Sequence, residues 1–303
     1  MEAIRITRES TIFKVYKSLN RSGEEIAKKL GISRTAVWKA IEKLREFGYV
    51  IQSKKGIGYR VISKPEISPV EVADIAFNNL KELVEEVWYY REVDSTNQRA
   101  REYSKPKTLF FAESQSAGRG RMGREWFSAK GGLYFSLTLK PELSIEDIPK
   151  LTLTTGLAVA KSIPNAKVKW PNDVLLNGKK VCGILCELVG EVEQLIVIVG
   201  IGVNVKNPIP KELEDKATNF EAELIDVFDS VTQNLYLHYK MLFKGKWDKI
   251  RKEYVENCET IGKFVRVKTI SKVYEGFAER IDDDGALVVN GERIYAGECF
   301  YIS

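Results

Sequence analysis

Arginine and glycine alternate in the segment Glu113–Trp126, which follows the apolar stretch Leu109–Ala112. Its arginines and backbone N–H groups make a cationic loop that suits closing over phosphates or an acyl phosphate. The glycines also satisfy G-x-G-x-x-G, but the dinucleotide fingerprint requires an apolar helix directly after them, and none follows Arg124. A solvated basic loop remains the alternative. The residues concerned are Gly118, Arg119, Gly120, Arg121, Gly123 and Arg124.

A second group of candidate residues lies between positions 167 and 205. Lys167–Asp173 ends in a polar Pro-Asn-Asp turn, and Asn177-Gly178 predicts the turn of a hairpin. An apolar strand at 195–205 is broken by two glycines, which in a core strand often mark the close approach of a ligand or another backbone. Each piece alone also suits a turn or a barrel corner. The candidate residues are Lys180, Gly183, Gly200, Gly202 and Asn204.

Composition excludes several kinds of chemistry. The only histidine, His238, lies in an amphipathic helical pattern, so histidine-rich zinc sites are impossible and a histidine-activated nucleophile would depend on this residue. The absence of a signal peptide and of an apolar run of about 18 residues predicts a cytoplasmic protein with no membrane span. The four cysteines predict buried thiols in a reducing compartment. They are Cys182, Cys186, Cys258 and Cys299.

The basic character is confined to the N-terminal end. Residues 1–64 hold fifteen Lys/Arg and six Asp/Glu, a net charge of +9, whereas the whole chain is +5 and the remainder therefore −4. A capping box at Ser22–Glu25, a stop at Gly31 and a second helix from Ser33 predict a helix-turn-helix. The hairpin after it, with a Lys-Lys-Gly tip, predicts a wing. The predicted DNA-binding residues are Arg34, Thr35, Trp38 and Lys39; a packing or protein-contact module is the alternative.

Taken together, these motifs resemble those of the biotin protein ligases. Gly-Arg-Gly-Arg-Met-Gly-Arg-Glu-Trp, Lys-Trp-Pro-Asn-Asp, Lys-Lys-Val-Cys-Gly-Ile-Leu and Gly-Ile-Gly-Val-Asn occur in that family's order, after an Asp-Ser-Thr-Asn motif that begins at Asp94. The N-terminal winged helix makes the chain similar to the ligases that also repress the biotin operon. One departure is Met122, where the repressor has a third arginine. Both preceding arginines are present, so the departure puts little in doubt about catalysis.

The resemblance covers essentially the whole chain and implies an α+β protein in three parts. We expect a winged helix-turn-helix domain at 1–64 and a biotin/lipoate ligase-like α/β catalytic domain at 65–258. An SH3-like small β-barrel is expected at 259–303, where short strands alternate with Asp-Asp-Asp-Gly and Asn-Gly turns. Lys64-Pro65 and Ser68-Pro69 mark the first boundary, because residues before proline favour extended backbone.

The activity that the resemblance implies is a two-step acyl transfer that uses biotin, ATP and Mg²⁺. Arg121 and Lys180 are the implied catalytic residues, and Asp173 the implied metal-side residue. The implied biotin site comprises Ser95, Thr96, Asn97, Gln115, Arg119, Gly120, Arg121, Lys180 and Gly183. The implied ATP and adenylate site comprises Arg119, Arg121, Trp126, Lys180, Asn172 and Asn204.

The implied partners are a biotin carboxyl carrier domain, operator DNA and a second copy of the chain on ligand binding, with no membrane. Two alternatives to a ligase that also represses transcription stay open at this point. One is a ligase whose winged helix regulates nothing, because helix chemistry cannot show that an operator exists. The other is a lipoate-type ligase or a pure repressor, although lipoate ligases lack the Gly-Arg-Gly-Arg loop.

Overall fold

A computed structural model describes residues 3–54, 58–140, 144–190 and 195–302. Along these residues a helical N-terminal region, a central sheet covered by helices and a small antiparallel sheet follow one another. The α+β organisation predicted from the sequence is confirmed. Of the predicted wing tip at residues 54–56, Lys54 is described, and residues 55 and 56 lie outside the described residues.

The helix-turn-helix predicted after residue 21 is present. The Ser22 side chain accepts a hydrogen bond from the Glu25 N–H while the Glu25 carboxylate accepts one from the Ser22 N–H, which is the predicted capping box. Gly31 ends the first helix at φ 64°, a left-handed conformation that favours glycine. The elements are β1 (Ala3–Thr7), α1 (Thr11–Tyr16), α2 (Gly23–Leu30), α3 (Arg34–Glu46), β2 (Val50–Lys54) and β3 (Gly58–Ser63).

The central region is an eight-stranded sheet with helices on both faces. Its strands lie in the order β1-β4-β5-β6-β10-β9-β8-β7, and β4 and β5 are parallel. The elements are α4 (Pro69–Asn79), β4 (Glu86–Tyr90), α5 (Thr96–Tyr103), β5 (Thr108–Ala112), β6 (Leu133–Leu139), α6 (Ile148–Ser162), β7 (Lys167–Lys169), β8 (Asp173–Leu176), β9 (Lys179–Val189), β10 (Ile196–Val203), α7 (Leu224–Phe243) and α8 (Trp247–Glu256).

Strand β5 shows how the two faces divide. Leu109 and Phe111 face the larger core, where Phe111 meets Phe228 of α7 edge to face at 5.5 Å between ring centroids. Phe110 and Ala112 face the smaller core beneath α5. Every residue of β5 is buried, and after Thr108 the strand is continuously apolar rather than alternating between apolar and polar residues.

Strand β1 belongs to the central sheet, and the sequence did not predict this pairing. It pairs antiparallel with β4, and the Arg5 guanidinium donates from Nε to the Glu86 carboxylate at 2.6 Å. Nearby, the Tyr49 and Ser68 hydroxyls lie 2.6 Å apart in the interior. The winged helix and the central sheet therefore share one hydrophobic core. The domain boundary expected at residue 64 stays a prediction.

The C-terminal region is a five-stranded antiparallel sheet in the order β14-β13-β12-β11-β15. Its inward residues, such as Val265 and Val267, are buried, while their neighbours on β11 are exposed. The strands are β11 (Phe264–Lys268), β12 (Val273–Ile281), β13 (Leu287–Val289), β14 (Glu292–Ile294) and β15 (Glu298–Tyr301).

The remaining sequence predictions concern the histidine, the cysteines and membranes. His238 is buried in α7, where its Nδ1 lies 2.7 Å from the Asn234 carbonyl oxygen, so it occupies a core position. All four cysteines are free, and burial raises the pKa of the Cys186 thiol to about 11. None of the described helices is long and apolar enough to cross a membrane.

The buried carboxylate of Glu86 makes stability depend on pH. Burial alone would raise its pKa, but hydrogen bonds from Tyr103, Arg5 and Trp88 outweigh burial, and the pKa lies below its ordinary value of 4.5. A carboxylate with a lowered folded-state pKa stabilises the fold above the unfolded-state value, and that stability is lost as pH falls through the folded-state value.

We therefore expect Glu86→Gln to be destabilising at pH 7 by about 1–3 kcal/mol. The difference from the unsubstituted protein should shrink as pH falls below about 4.5. Thermal unfolding at pH 7, 5 and 4 measures it. Glu85→Gln is the matched control, because the Glu85 side chain is 62% exposed. Equal effects of the two substitutions at pH 7 would contradict the role given to Glu86.

Candidate functional site

A cavity of about 1000 Å³ lies at the ends of β9 and β10, beneath the arginine loop (residues 118–126) and beside the C-terminal sheet. Nearly all of the predicted catalytic, biotin and adenylate residues line it, although they come from four separate stretches of chain. They are Ser95, Thr96, Asn97, Gln115, Arg119, Gly120, Arg121, Trp126, Asn172, Asp173, Lys180 and Gly183.

Among the described residues that line the cavity, Asn204 is absent. It is buried, and its amide donates to the Thr218 carbonyl at 3.2 Å while its Oδ1 accepts from Asn207 at 3.1 Å. Asn204 thus ties the end of β10 to the segment that returns beside it. Its predicted contact with the nucleotide stays a prediction.

The N-terminus of α5 forms one wall of the cavity. Ser95 caps this helix, and the Thr96 N–H donates to Gln115 Oε1 at 2.8 Å. The Asn97 amide is held from both sides, because Ser136 donates to its Oδ1 at 2.6 Å and its Nδ2 donates to Glu187 at 2.9 Å. All three wall residues are nearly buried, so their orientations are fixed before any ligand arrives.

The glycines of β10 are required by side chains that cross the strand. A Cβ at position 200 would lie 2.0 Å from Asn97 Oδ1, and one at position 202 would lie 2.4 Å from Trp126 Nε1. A Cβ at Gly183 of β9 would lie 2.9 Å from the same indole. The sequence predicted a close approach at these glycines, and the structure identifies the approaching groups as an amide and an indole.

The arginine loop closes on itself by backbone hydrogen bonds. The Gly120 N–H donates to the Arg124 carbonyl at 2.7 Å, and the Trp126 N–H donates to the Gly118 carbonyl at 2.8 Å. No α-helix follows the glycines in the described chain before α6, which confirms that they are not a dinucleotide fingerprint. Met122 is exposed at φ 56° and also lines the cavity, so the departure from the family motif lies at a position open to both solvent and the cavity.

Arg121 is buried for the most part and has neutral partners. Its Nη1 donates to Asn172 Oδ1 at 2.9 Å and to the Gly297 carbonyl of the C-terminal region at 3.4 Å. Burial lowers the pKa of Arg121 against an opposing effect of Asp173. A guanidinium desolvated in this way, with no carboxylate bound directly, is suited to receiving an anion.

Lys180 is the second cation of the cavity. Its Nζ lies 2.7 Å from Asp173 Oδ1 and 5.2 Å from the centroid of the Trp126 ring. The backbone of Lys180 is fixed as well, since its N–H donates to the Lys216 carbonyl and its C=O accepts from the Thr218 N–H. The adjacent residues Asn172 and Asp173 thus hold Arg121 and Lys180 side by side.

Two contributors to the site were missed by sequence reasoning. Glu187 joins Arg101 at 2.7 Å and Arg119 at 3.3 Å, and Glu298 of the C-terminal region forms an ion pair with Arg124. Glu187 has a weak signal in the sequence, as a charge at the end of an apolar strand. Glu298 has none, because 174 positions separate it from its partner.

Metal-binding capacity in the cavity is limited. The described residues contain no group of three or more His, Cys, Asp or Glu side chains that could hold an ion. Asp173 offers one carboxylate, already engaged by Lys180. Any divalent ion here would therefore need most of its oxygen ligands from a substrate and from water.

A second cavity, of about 470 Å³, lies between α3 and the wing. Three of the four predicted DNA-binding residues line it, and the Trp38 side chain among them is 54% exposed. Lys39 is exposed on α3 but outside this lining. The lining residues are Ser22, Gly23, Arg34, Thr35, Trp38, Ser53, Lys54, Gly58 and Tyr59.

Comparison with known families defines the class of the protein. Residues 89–204 match the biotin/lipoate A/B protein ligase family, residues 8–60 match an HTH domain, and residues 260–301 match the biotin protein ligase C-terminal domain. The fold and the cavity are therefore those of a biotin protein ligase preceded by a helix-turn-helix domain.

Relatives that share this arrangement identify the family. The bifunctional ligase/repressor BirA of Bacillus subtilis is 36% identical, over 91% of this chain and 92% of its own. That of Escherichia coli is 35% identical over 60% of this chain and 59% of its own. The chain belongs to the bifunctional biotin ligase/repressor family.

A solved structure supports the same conclusion for the greater part of the chain. The biotin protein ligase from Aquifex aeolicus, in complex with biotin and ATP, is 30% identical and superposes with a TM-score of 0.64. The superposition covers 71% of this chain and 97% of the Aquifex chain. The lipoate-type alternative loses support, because a biotin protein ligase C-terminal domain is present.

The close approach at Gly200 predicts that even one methyl group is excluded there. Gly200→Ala should lower the free energy of unfolding by about 1–3 kcal/mol, because the fixed Asn97 amide cannot move away. Gly156→Ala in α6 is the control, since a Cβ there meets nothing closer than 3.6 Å and alanine favours the helix. Thermal or urea unfolding of both variants measures the difference. A Gly200→Ala protein as stable as Gly156→Ala would refute the packing argument.

Proposed function

We propose that this chain activates biotin with ATP and transfers it to a lysine of a biotin carrier domain. The observation that carries the proposal is the meeting of Arg121 and Lys180 in one cavity, beside the polar wall at residues 95–97. Two anions, a carboxylate and a triphosphate, must meet for this reaction. Cations that are fixed and partly desolvated lower the cost of that encounter.

In the first step the biotin carboxylate oxygen attacks the α-phosphorus of ATP, and pyrophosphate leaves. Lys180, fixed through its backbone, would bridge the carboxylate and the α-phosphate. Arg121 would hold the charge that develops on the phosphate oxygens. The proposed biotin contacts are Ser95, Thr96, Asn97, Gln115, Arg119, Gly120, Arg121, Lys180 and Gly183.

In the second step the ε-amine of the carrier lysine attacks the acyl carbon of biotinoyl-AMP. An amide forms, AMP leaves with the electron pair of the broken C–O bond, and the amine nitrogen loses a proton. Trp126 would cover the nucleotide side and keep water from the mixed anhydride. The proposed adenylate contacts are Arg119, Arg121, Trp126, Lys180, Asn172 and Asn204.

Mg²⁺ is proposed as a companion of ATP and not as a resident ion. Mg²⁺ keeps several waters and commonly binds one or two carboxylates plus substrate phosphates, and a single carboxylate at Asp173 fits that donor set. When bound, the ion would supply charge neutralisation on the phosphates. Asp173 would then have to be shared between the ion and Lys180.

Lys180→Ala tests the proposed chemistry. Loss of one fixed cation should lower biotin-dependent exchange between ATP and pyrophosphate by about 10²–10³-fold, as at comparable electrostatic sites. Lys179→Ala is the matched control, because that neighbouring Nζ donates to the Glu214 carbonyl and does not line the cavity. Mass spectrometry of a carrier domain incubated with biotin and Mg-ATP reports the complete reaction. Near-normal exchange by Lys180→Ala would overturn its role.

We further propose that the ligase represses transcription as a ligand-induced dimer. One recognition helix per chain supplies few phosphate contacts, and a dimer on a two-fold symmetric site doubles them. A physical connection between the two functions supports the coupling. Strand β1 of the N-terminal region pairs with β4, and only residues 91–94 separate the end of β4 from the polar wall at Ser95.

Arg34→Ala/Lys39→Ala tests DNA recognition separately from ligation. Both side chains are exposed on α3, so the variant should keep carrier biotinylation and lose DNA affinity. The plot of log affinity against log salt should become shallower by about 0.9 for each phosphate contact removed. Lys249→Ala/Lys252→Ala on α8 is the charge-matched control.

DNA binding and sedimentation are measured at one salt concentration, with and without biotin and ATP. Biotin with ATP should raise both DNA affinity and mass. Equal affinity and equal mass in the two conditions would leave a ligase with a non-regulatory winged helix.

A further inference from the structure

The outward face of the C-terminal sheet carries exposed aromatic side chains. Phe264 of β11 and Phe277 of β12 lie opposite each other in the register, and their rings meet edge to face at 5.2 Å between centroids. Their exposed fractions are 40% and 58%. Aromatic rings in a small sheet ordinarily point into the core. An exposed pair of such rings is typical of a surface that binds another molecule.

This pair begins a row that leads to the mouth of the cavity. Two residues further along β11, Arg266 lies between Glu275 and Phe300 in the register, and Arg266 and Glu275 form an ion pair. Phe300 is 37% exposed, and it also lines the catalytic cavity. Phe300 therefore belongs both to the outward face and to the lining of the cavity.

The next row reaches the arginine loop itself. Lys268 lies opposite Glu298, and Glu298 pairs with Arg124 of the loop. Lys268 also lines the cavity, with its Nζ 5.4 Å from the centroid of the Phe300 ring. Two polar rows thus border the aromatic pair on the side of the cavity.

The size of a protein footprint decides whether the aromatic pair lies within reach. Four residues along a strand span about 13 Å, which is the separation of Phe264 from Lys268. A standard interface covers about 800 Å² on each partner, a patch about 30 Å across. A folded domain whose lysine enters the cavity beside Phe300 would therefore extend to Phe264 if it leans toward the C-terminal sheet.

We propose that the outward face of β11, β12 and β15 is the docking surface for the carrier domain. The inference rests on the proposed function, because only a protein acceptor needs a surface beside the cavity. Its centre would be the pair Phe264 and Phe277, and its rim the charged row of Arg266 and Glu275. An apolar aromatic centre within a charged rim is the usual composition of a specific protein interface.

Continuity with the cavity favours this occupant over a second copy of the chain. The acceptor lysine must arrive at the cavity mouth, and three residues of this face, Lys268, Glu298 and Phe300, already line the cavity. A second copy seated on the same face would cover that mouth and hinder the transfer step. Dimerisation on this face is therefore an alternative outcome of the test.

The test replaces the aromatic pair without touching the cavity. Phe264→Ser/Phe277→Ser changes two exposed side chains that do not line the cavity. The control is Leu237→Ser, which removes an apolar side chain that is 56% exposed on α7. Three rates are measured for each: ATP–pyrophosphate exchange, transfer of biotin to hydroxylamine as a small nucleophile, and kcat/KM for a carrier domain.

We expect the double variant to keep exchange and hydroxylamine transfer while kcat/KM for the carrier falls about tenfold or more, mainly through KM. Leu237→Ser should change none of the three. Unchanged carrier kcat/KM in the double variant would overturn the docking surface. A change in sedimentation without a change in carrier kcat/KM would assign the face to a second copy instead.

Failure of the proposed function has a different signature. It would appear in the unsubstituted protein as an absence of biotin-dependent exchange, whatever the state of the C-terminal face. A double variant that lost exchange together with carrier transfer would also overturn the docking surface, because the face would then act on the cavity itself.

Discussion

Two cations held together in a partly desolvated cavity are the constraint on which the rest of the structure depends. Arg121 and Lys180 carry like charges, and burial penalises the charge of Arg121. Asp173 offsets part of this cost as the carboxylate beside them, while Asn172 and a backbone carbonyl engage the guanidinium without neutralising it. The cavity therefore keeps a net affinity for anions, which a full set of carboxylates would abolish.

This constraint explains contributions from distant parts of the chain. The Asn172-Asp173 turn lies where β8 begins, and Lys180 lies on the adjacent β9. Because Asn172 binds Arg121 and Asp173 contacts Lys180, the hairpin of β8 and β9 sets the spacing of the two cations. Glycines in β9 and β10 leave room for the Trp126 indole, which covers Lys180. Glu298 fixes the far side of the arginine loop from the C-terminal sheet. Catalytic region and C-terminal region thus form one site.

The N-terminal region is joined to the same framework by strand pairing. Strand β1 extends the catalytic sheet, and the Arg5–Glu86 ion pair closes the junction at its edge. Since β4 continues toward Ser95, a change at the polar wall and a change in the placement of the winged helix can share one mechanical element. The ligand-induced repression proposed above would need a connection of this kind.

The sequence alone determined the local elements and the chemical class of the site. Some structures depend only on residues that are neighbours in the sequence, so the sequence predicts them. They are the capping box at Ser22, the Asn177-Gly178 turn and the Gly-Arg-Gly-Arg loop. Tertiary structure decided what depends on long-range contact. It put β1 into the catalytic sheet, assigned the space at Gly200 to Asn97, and brought Glu298 to Arg124. Spacing along the chain does not predict such contacts, because only the packed fold brings those groups together.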